Sequence, residues 1–275
     1  MPKTALVTGA SSGIGEATAL KLRELGYTVY GAARRTDRLR KLADHGIRPL
    51  AMDVTDDDSL RTGVDRVVAE TGRIDALVNN AGYGSYGALE DVPLDEARHQ
   101  FEVNVFGAVR LTQLVLPHMR AQRGGTVVNV TSMGGKIYTP LGGWYHGTKF
   151  ALEALSDCLR LEAKPFGIDV VVIEPGGIAT EWGGIAADKL DKSSATGPYA
   201  RQATAVAAAM RSEANARRNS PPTVIADAIG KAVTTRRPKP RYATGFGARP
   251  LIALRRILPD RAFDTVISRA VGLPR

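Results

Sequence analysis

Short, nearly continuous apolar runs alternate with longer segments of helical apolar spacing through the first two-thirds of the 275-residue chain. The runs Thr4–Thr8, Thr28–Ala33, Arg48–Met52, Ala76–Val78, Thr126–Thr131 and Asp169–Ile173 predict strands. Several lack polar alternation, as strands of a sheet covered on both faces do. Between them, Gly13–Leu25, Asp37–Asp44, Asp57–Thr71, Leu94–Arg120 and Tyr145–Lys164 have the spacing of helices. End signals agree: Gly26 follows the first helix as a C-cap, Asp56 and Asp57 can cap the third, and Pro165 with Gly167 ends the last. Strand and helix in alternation predict an α/β fold with a parallel sheet.

After about residue 178 the pattern loosens into Gly183-Gly184, an alanine-rich stretch to Ala216, and a helix opened by Ser220-Pro221-Pro222 and running to Thr235. A short strand at Arg241–Thr244 and an arginine-rich apolar tail follow. No independent second core is visible. The expectation is one domain over 1–275, with a core at 3–180, a helical lid at 181–220 and a basic extension at 245–275.

Composition changes this picture in one respect. The formal charge is +9, which by itself suggests a nucleic-acid or anionic-membrane partner. Residues 1–200, however, hold 22 basic and 24 acidic side chains, and residues 201–275 hold 15 and 4. The excess lies in the last quarter, and no nucleic-acid partner is expected. Cys158 is the only cysteine, so no intramolecular disulfide forms and a reducing, cytoplasmic setting is expected; its place on the Tyr145 helix suggests a small core residue. No apolar stretch is long enough to span a membrane, and the four histidines show no metal-ligand spacing.

Between the first strand and helix stands Thr8-Gly9-Ala10-Ser11-Ser12-Gly13-Ile14-Gly15. Glycines there let a phosphate approach backbone N–H groups and the helix N-terminus without a Cβ in the way. No Lys-Ser/Thr follows, so a nucleoside-triphosphate loop is not indicated. The second strand ends in Ala33-Arg34-Arg35, where a cofactor lacking a 2′-phosphate would meet an acid. Guanidinium groups suit a 2′-phosphate, so NADP(H) is expected over NAD(H). Asp37, the competing acid, is read as a cap of the next helix.

Tyr145 and Lys149 stand at i and i+4, on one face of a helix. A nearby ammonium stabilises a phenolate and draws the phenol pKa toward a value suited to proton exchange. Ser132 closes the fifth strand, so its hydroxyl emerges at the carboxyl edge of the sheet, where α/β folds bind ligands. His146 points off the Tyr145–Lys149 face and reads as structural or pocket-lining. Tyr83, Tyr86, Trp144 and Trp182 flank these motifs and are candidate pocket walls.

Taken together, these motifs resemble the short-chain dehydrogenase/reductase family. The glycine turn, Asn79-Asn80-Ala81-Gly82, Asp53-Val54 and Pro175-Gly176-Gly177-Ile178-Ala179-Thr180 match its pattern. Asn104, Ser132, Tyr145 and Lys149 match its catalytic tetrad in order and approximate spacing, although His-Gly-Thr follows Tyr145 where Ser-Ala-Ser is common. The resemblance implies a Rossmann-type doubly wound sheet with Tyr145 as general acid in reduction and base in oxidation. It implies that Lys149 holds the nicotinamide ribose and lowers the Tyr145 pKa, that Ser132 bonds the substrate oxygen, and that Asn104 keeps a water in the proton relay. Cofactor contacts are implied for Gly9, Ser11, Ser12, Gly13, Ile14, Gly15, Arg34, Arg35, Asp53, Val54, Asn80, Ala81, Gly82, Pro175, Gly176, Ile178 and Thr180.

The expected function is interconversion of an alcohol and a ketone or aldehyde on a bulky hydrophobic, steroid-, retinoid- or lipid-like substrate, by a homodimer or homotetramer. The alternatives are reduction of carrier-linked 3-oxoacyl groups and a non-catalytic NADP-binding sensor. The tail reads as a solvated or subunit-facing helix surface, with a weak peripheral membrane contact as the sharper alternative.

Overall fold

The computed structural model describes residues 2–272. Met1 and the last three positions of the predicted extension lie outside the described residues. Seven parallel strands form one sheet: β1 (Thr4–Thr8), β2 (Thr28–Ala33), β3 (Arg48–Ala51), β4 (Ala76–Asn79), β5 (Gly125–Val130), β6 (Ile168–Pro175) and β7 (Arg241–Thr244). Their order, β3-β2-β1-β4-β5-β6-β7, reverses direction of growth between β1 and β4 and defines a doubly wound Rossmann-type sheet.

Apolar strands bury both faces. On one, α1 (Gly13–Glu24), α2 (Thr36–Ala43) and α10 (Thr223–Thr234) pack Leu22, Leu39 and Ile229 against Ala5, Val29, Val128 and Val171. On the other, α3 (Asp57–Thr71), α5 (Gly107–Ala121) and α6 (Gly143–Ala163) bring Leu60, Val64, Leu111 and Met119 onto Leu6, Leu50, Leu77 and Val127. Asp56 caps α3, accepting from the N–H groups of Asp58 and Ser59, whereas Asp57 pairs with Arg61 and Arg110.

The predicted helix Leu94–Arg120 is two helices, α4 (Leu94–Phe101) and α5, joined by a π-helical turn at Glu102–Phe106. That wider turn carries Asn104, in keeping with the frequent placement of π-turns at functional positions. Asp37 does not cap α2. Arg35 holds the N-cap position, and Asp37 lies exposed in the first turn.

The segment after β6 forms α7 (Trp182–Ser194), α8 (Ala200–Arg211) and α9 (Glu213–Arg218), whose buried Ala186, Leu190, Ala203 and Val206 pack with Tyr86, Leu141 and Tyr145. The tail folds as α11 (Ala248–Ile257) and α12 (Asp260–Ala270). It is less of an appendage than its charge suggests: Phe263 and Ile267 are buried against Ile137, and Tyr138 donates to Asp264 at 2.9 Å. Arg241, part of the basic excess, sits in β7 at the sheet edge. Cys158 is exposed rather than in the core, on an α6 surface that also exposes Leu155 and Leu161.

Candidate active site

Because every strand runs the same way, the turns after β1, β2, β4, β5 and β6 converge at one edge of the sheet. They enclose a cavity of about 1120 Å³. The crevice between β1 and β4 is bolted by hydrogen bonds. Asn80 Nδ2 donates to Thr8 O at 2.9 Å, while the N–H groups of Asn80 and Ala81 each donate to Thr8 Oγ1 at 3.0 Å. Thr8, which the glycine-turn motif contains, thus fastens the end of β1 to the loop after β4.

The glycine turn needs its glycines. Gly9 has φ of +67°, and a Cβ there would stand 2.8 Å from Asn80 Nδ2. Ser12, at the N-cap of α1, makes no side-chain capping bond, so the first N–H groups of the helix keep the orphan character that attracts an anion. Its hydroxyl and that of Ser11 instead each accept from Arg35 Nη2 at 3.1 Å. Two hydroxyls, a helix terminus and the Arg34-Arg35 pair therefore line one end of the cavity, a donor set that fits a phosphorylated dinucleotide.

Asp53 and Val54 lie in the same wall. Burial alone would raise the Asp53 carboxyl, but the backbone and hydroxyl of Thr55, at 3.0 and 2.8 Å, together with the charge of Arg34 hold it below its ordinary value. Pro175, Gly176, Ile178 and Thr180 close the opposite wall. Thr180 packs over the glycine turn, where a Cβ on Gly13 would meet its methyl at 3.1 Å.

Of the predicted residues, Gly15 and Asn104 stand outside the cavity lining. Gly15 is needed for close packing, since a Cβ there would stand 2.6 Å from Asn80 Nδ2. The Asn104 amide is fully engaged: Oδ1 accepts from Tyr83 N at 3.0 Å, and Nδ2 donates to Tyr83 O at 2.9 Å and Thr148 Oγ1 at 3.0 Å. It clamps the loop that follows β4 to α6, a role in holding the site together.

Ser132, Tyr145 and Lys149 line the cavity together. Ser132 Oγ accepts from Gly134 N at 2.9 Å and so keeps its own hydrogen free to donate into the cavity. Burial pushes the Tyr145 phenol up to about 12, opposed by the neighbouring Ser132 hydroxyl. Burial likewise pushes the Lys149 ammonium down to about 8, with the Glu153 carboxylate acting against it. Lys149 Nζ donates to Val130 O at 3.1 Å and lies 6.0 Å from the Tyr145 ring centroid.

His146 is structural. Its Nδ1 bonds Gly134 O at 2.8 Å and its Nε2 accepts from Thr139 N at 3.0 Å, so the ring staples α6 to the Ser132 loop, and burial lowers its pKa. Around the phenol, Tyr86 and Trp182 form an aromatic wall with ring centroids 5.8 and 5.1 Å from that of Tyr145. Tyr83 also lines the cavity, and Trp144 does not. Met133, Ile137, Ile185, Met210, Phe246 and Leu251 extend the apolar wall. Spacing could not find these, because they come from separate elements that meet only in the fold.

A doubly wound sheet whose switch-point crevice combines a phosphate turn with a Ser-Tyr-Lys wall defines a nucleotide-dependent oxidoreductase class. A profile described as short chain dehydrogenase matches residues 3–190, and the chain belongs to that family. It is 33% identical over 268 residues to the uncharacterized oxidoreductase YbbO of Escherichia coli, covering 97% of this chain and 94% of that one. It is 42% identical over 180 residues to a 3-ketodihydrosphingosine reductase of Bacteroides thetaiotaomicron, an alignment spanning 65% of each. Among solved structures, a short-chain dehydrogenase of Streptomyces avermitilis superposes with a TM-score of 0.81 at 34% identity, covering 98% of this chain and 97% of that one. An alcohol dehydrogenase of Thermococcus sibiricus complexed with 5-hydroxy-NADP superposes with a TM-score of 0.73 at 26% identity, covering 90% and 98%.

Proposed function

We propose that this oxidoreductase uses NADP(H) to interconvert an alcohol and a ketone or aldehyde on a bulky apolar substrate. The observation that carries the reading is the meeting of Ser132, Tyr145 and Lys149 on one wall of a cavity whose far end holds the glycine turn and Arg35. When bound, the nicotinamide supplies the hydride for reduction or takes it up in oxidation.

The chain's own residues handle the oxygen. As the carbonyl oxygen gains negative charge, Ser132 donates a hydrogen bond to it and Tyr145 transfers its phenolic proton. Loss of that proton leaves a phenolate that the Lys149 ammonium stabilises, and a proton from solvent restores the phenol. Oxidation runs the same transfers in reverse. Ser11, Ser12 and the N-terminus of α1 would hold the pyrophosphate, Arg34 and Arg35 the 2′-phosphate, Asp53 and Val54 the adenine, and Asn80, Ala81, Gly82, Ile178 and Thr180 the nicotinamide half.

The wall of Tyr86, Ile137, Trp182, Met210 and Leu251 supports an apolar substrate body. The similarity to a 3-ketodihydrosphingosine reductase supports a 3-oxo group on a long lipid chain as the substrate class. Homodimers or homotetramers would form through the π-turn that precedes α5 and through α6, where Phe106, Phe150, Leu155 and Leu161 are exposed. No helix among the described residues is long and apolar enough to cross a membrane, and a cytoplasmic location suits the lone, exposed Cys158. A carbonyl panel tests the reading. NADPH oxidation with long-chain 3-oxo lipids and bulky ketones is expected to exceed that with short aldehydes, and the absence of oxidation across the panel would overturn it.

A further inference from the structure

Charged side chains from α6, β6, β7 and the loop after Ser132 pack together behind Lys149, outside the cavity lining. At their centre is Glu153, one turn beyond Lys149 on α6 and only 3% exposed. One carboxylate oxygen accepts from Thr131 Oγ1 at 2.6 Å. The other lies 2.8 Å from Lys136 Nζ and 3.1 Å from Arg241 Nε. Arg241 also pairs with Asp157 at 2.5 Å, while Glu174, 3.5 Å from Arg241 Nε, keeps an oxygen with no hydrogen bond, and burial pushes its carboxyl up.

A buried carboxylate is costly, and tying β7 to α6 does not require one, because the Arg241–Asp157 pair already does so. The position relative to Lys149 supplies a reason. The one hydrogen bond of the Lys149 ammonium goes to Val130 O, a neutral acceptor. Tyr145 and Glu153 stand one turn to either side of Lys149 on α6, and Glu153 is met in turn by Lys136 on the loop after Ser132 and by Arg241 on β7, with Glu174 on β6 beside Arg241. Asn104 on the π-turn contributes only an uncharged amide. Glu153 is the group whose charge acts to keep the proton on Lys149 against burial.

We propose that Glu153 is a positioning residue for the reaction: its carboxylate keeps the Lys149 ammonium charged in a desolvated pocket, and its bond to Thr131 fixes the strand end from which Ser132 projects. Lys136 and Arg241 moderate that charge. The proposal rests on the catalytic reading of Ser132, Tyr145 and Lys149 above.

The test is an NMR titration of the Lys149 side chain in protein carrying 13C-labelled lysine, the signal being assigned by its loss in Lys149→Met. In Glu153→Gln the Lys149 midpoint is expected to fall by about one pH unit or more, the usual effect of a nearby buried charge. In Lys136→Gln it is expected to rise by about half a unit, because the carboxylate is then less neutralised. Opposite shifts support the proposal, since a merely structural role cannot move the midpoint both ways. An unchanged midpoint in either folded variant, or shifts of the same sign, overturns it. Should circular dichroism show Glu153→Gln unfolded, the Lys136→Gln shift decides alone. The titration reads the ammonium whether or not the protein reduces a carbonyl, so failure of the catalytic reading shows separately, as unchanged turnover in Tyr145→Phe.

Discussion

The indole of Trp182 stands 5.1 Å from the Tyr145 ring, centroid to centroid, at an interplanar angle of 54°. The first residue of α7 thereby covers the phenol and keeps it dry. Trp182→Ala is expected to let water in, so that the Tyr145 pKa falls from about 12 toward its ordinary value, because burial is the main cause of its elevation. Loss of the aromatic contact should also raise KM for apolar carbonyls about tenfold. Ultraviolet absorbance titration and steady-state kinetics check both, and an unmoved phenol pKa would contradict this role.

Lys149 links stability to pH. Burial lowers its pKa from 10.5 to about 8, so between those values the unfolded chain binds a proton that the folded chain has released. Stability therefore climbs with pH through that window, and below about 8 the fold bears the full cost of a buried ammonium. Lys149→Met is expected to stabilise the ligand-free protein at pH 7 by on the order of 1–3 kcal/mol while abolishing turnover. The gain should shrink as pH approaches 10.5. Thermal unfolding at pH 7 and pH 10 measures it, and a variant less stable at pH 7 would contradict the prediction.

Arg35 bonds to the glycine turn through Ser11 and Ser12 at the cavity wall. Replacing Arg34 and Arg35 together with Ala should raise KM for NADPH by about 10–100-fold, the worth of charge-assisted hydrogen bonds, with little change for NADH. An unchanged ratio of the two KM values would remove the assignment of the 2′-phosphate to this pair.

The tail is a structural support for the site. Phe263 is fully buried beneath Ile137 and Tyr138, in the loop that follows Ser132. Phe263→Ala is expected to cost about 3–5 kcal/mol in denaturant unfolding and to lower turnover by loosening that loop. A loss under about 1 kcal/mol would return the tail to the status of an appendage.

The strands and the cofactor turn were legible in the sequence because each is local. A covered parallel strand must be apolar throughout, and a phosphate turn must be rich in glycine. Ser132, Tyr145 and Lys149 were legible through their fixed spacing around β5 and α6. What escaped depended on contacts between distant segments. The π-turn at Asn104 has no periodicity of its own. Exposure of Cys158 depends on which side of α6 faces outward, and the half-buried, ion-paired setting of Arg241 depends on carboxylates 84 and 88 residues away. Burial of the Tyr145 phenol is likewise a property of the fold, since an i, i+4 pair shows charge proximity and not desolvation.

The central claim is that Tyr145 delivers the proton in a reaction whose cofactor is bound independently of that hydroxyl. Turnover of an active carbonyl and NADPH binding, measured side by side in Tyr145→Phe, test it most directly. Turnover is expected to fall at least about a thousandfold, in keeping with loss of general acid catalysis, with the dissociation constant for NADPH changed less than about threefold. Turnover close to that of the unaltered protein would contradict it.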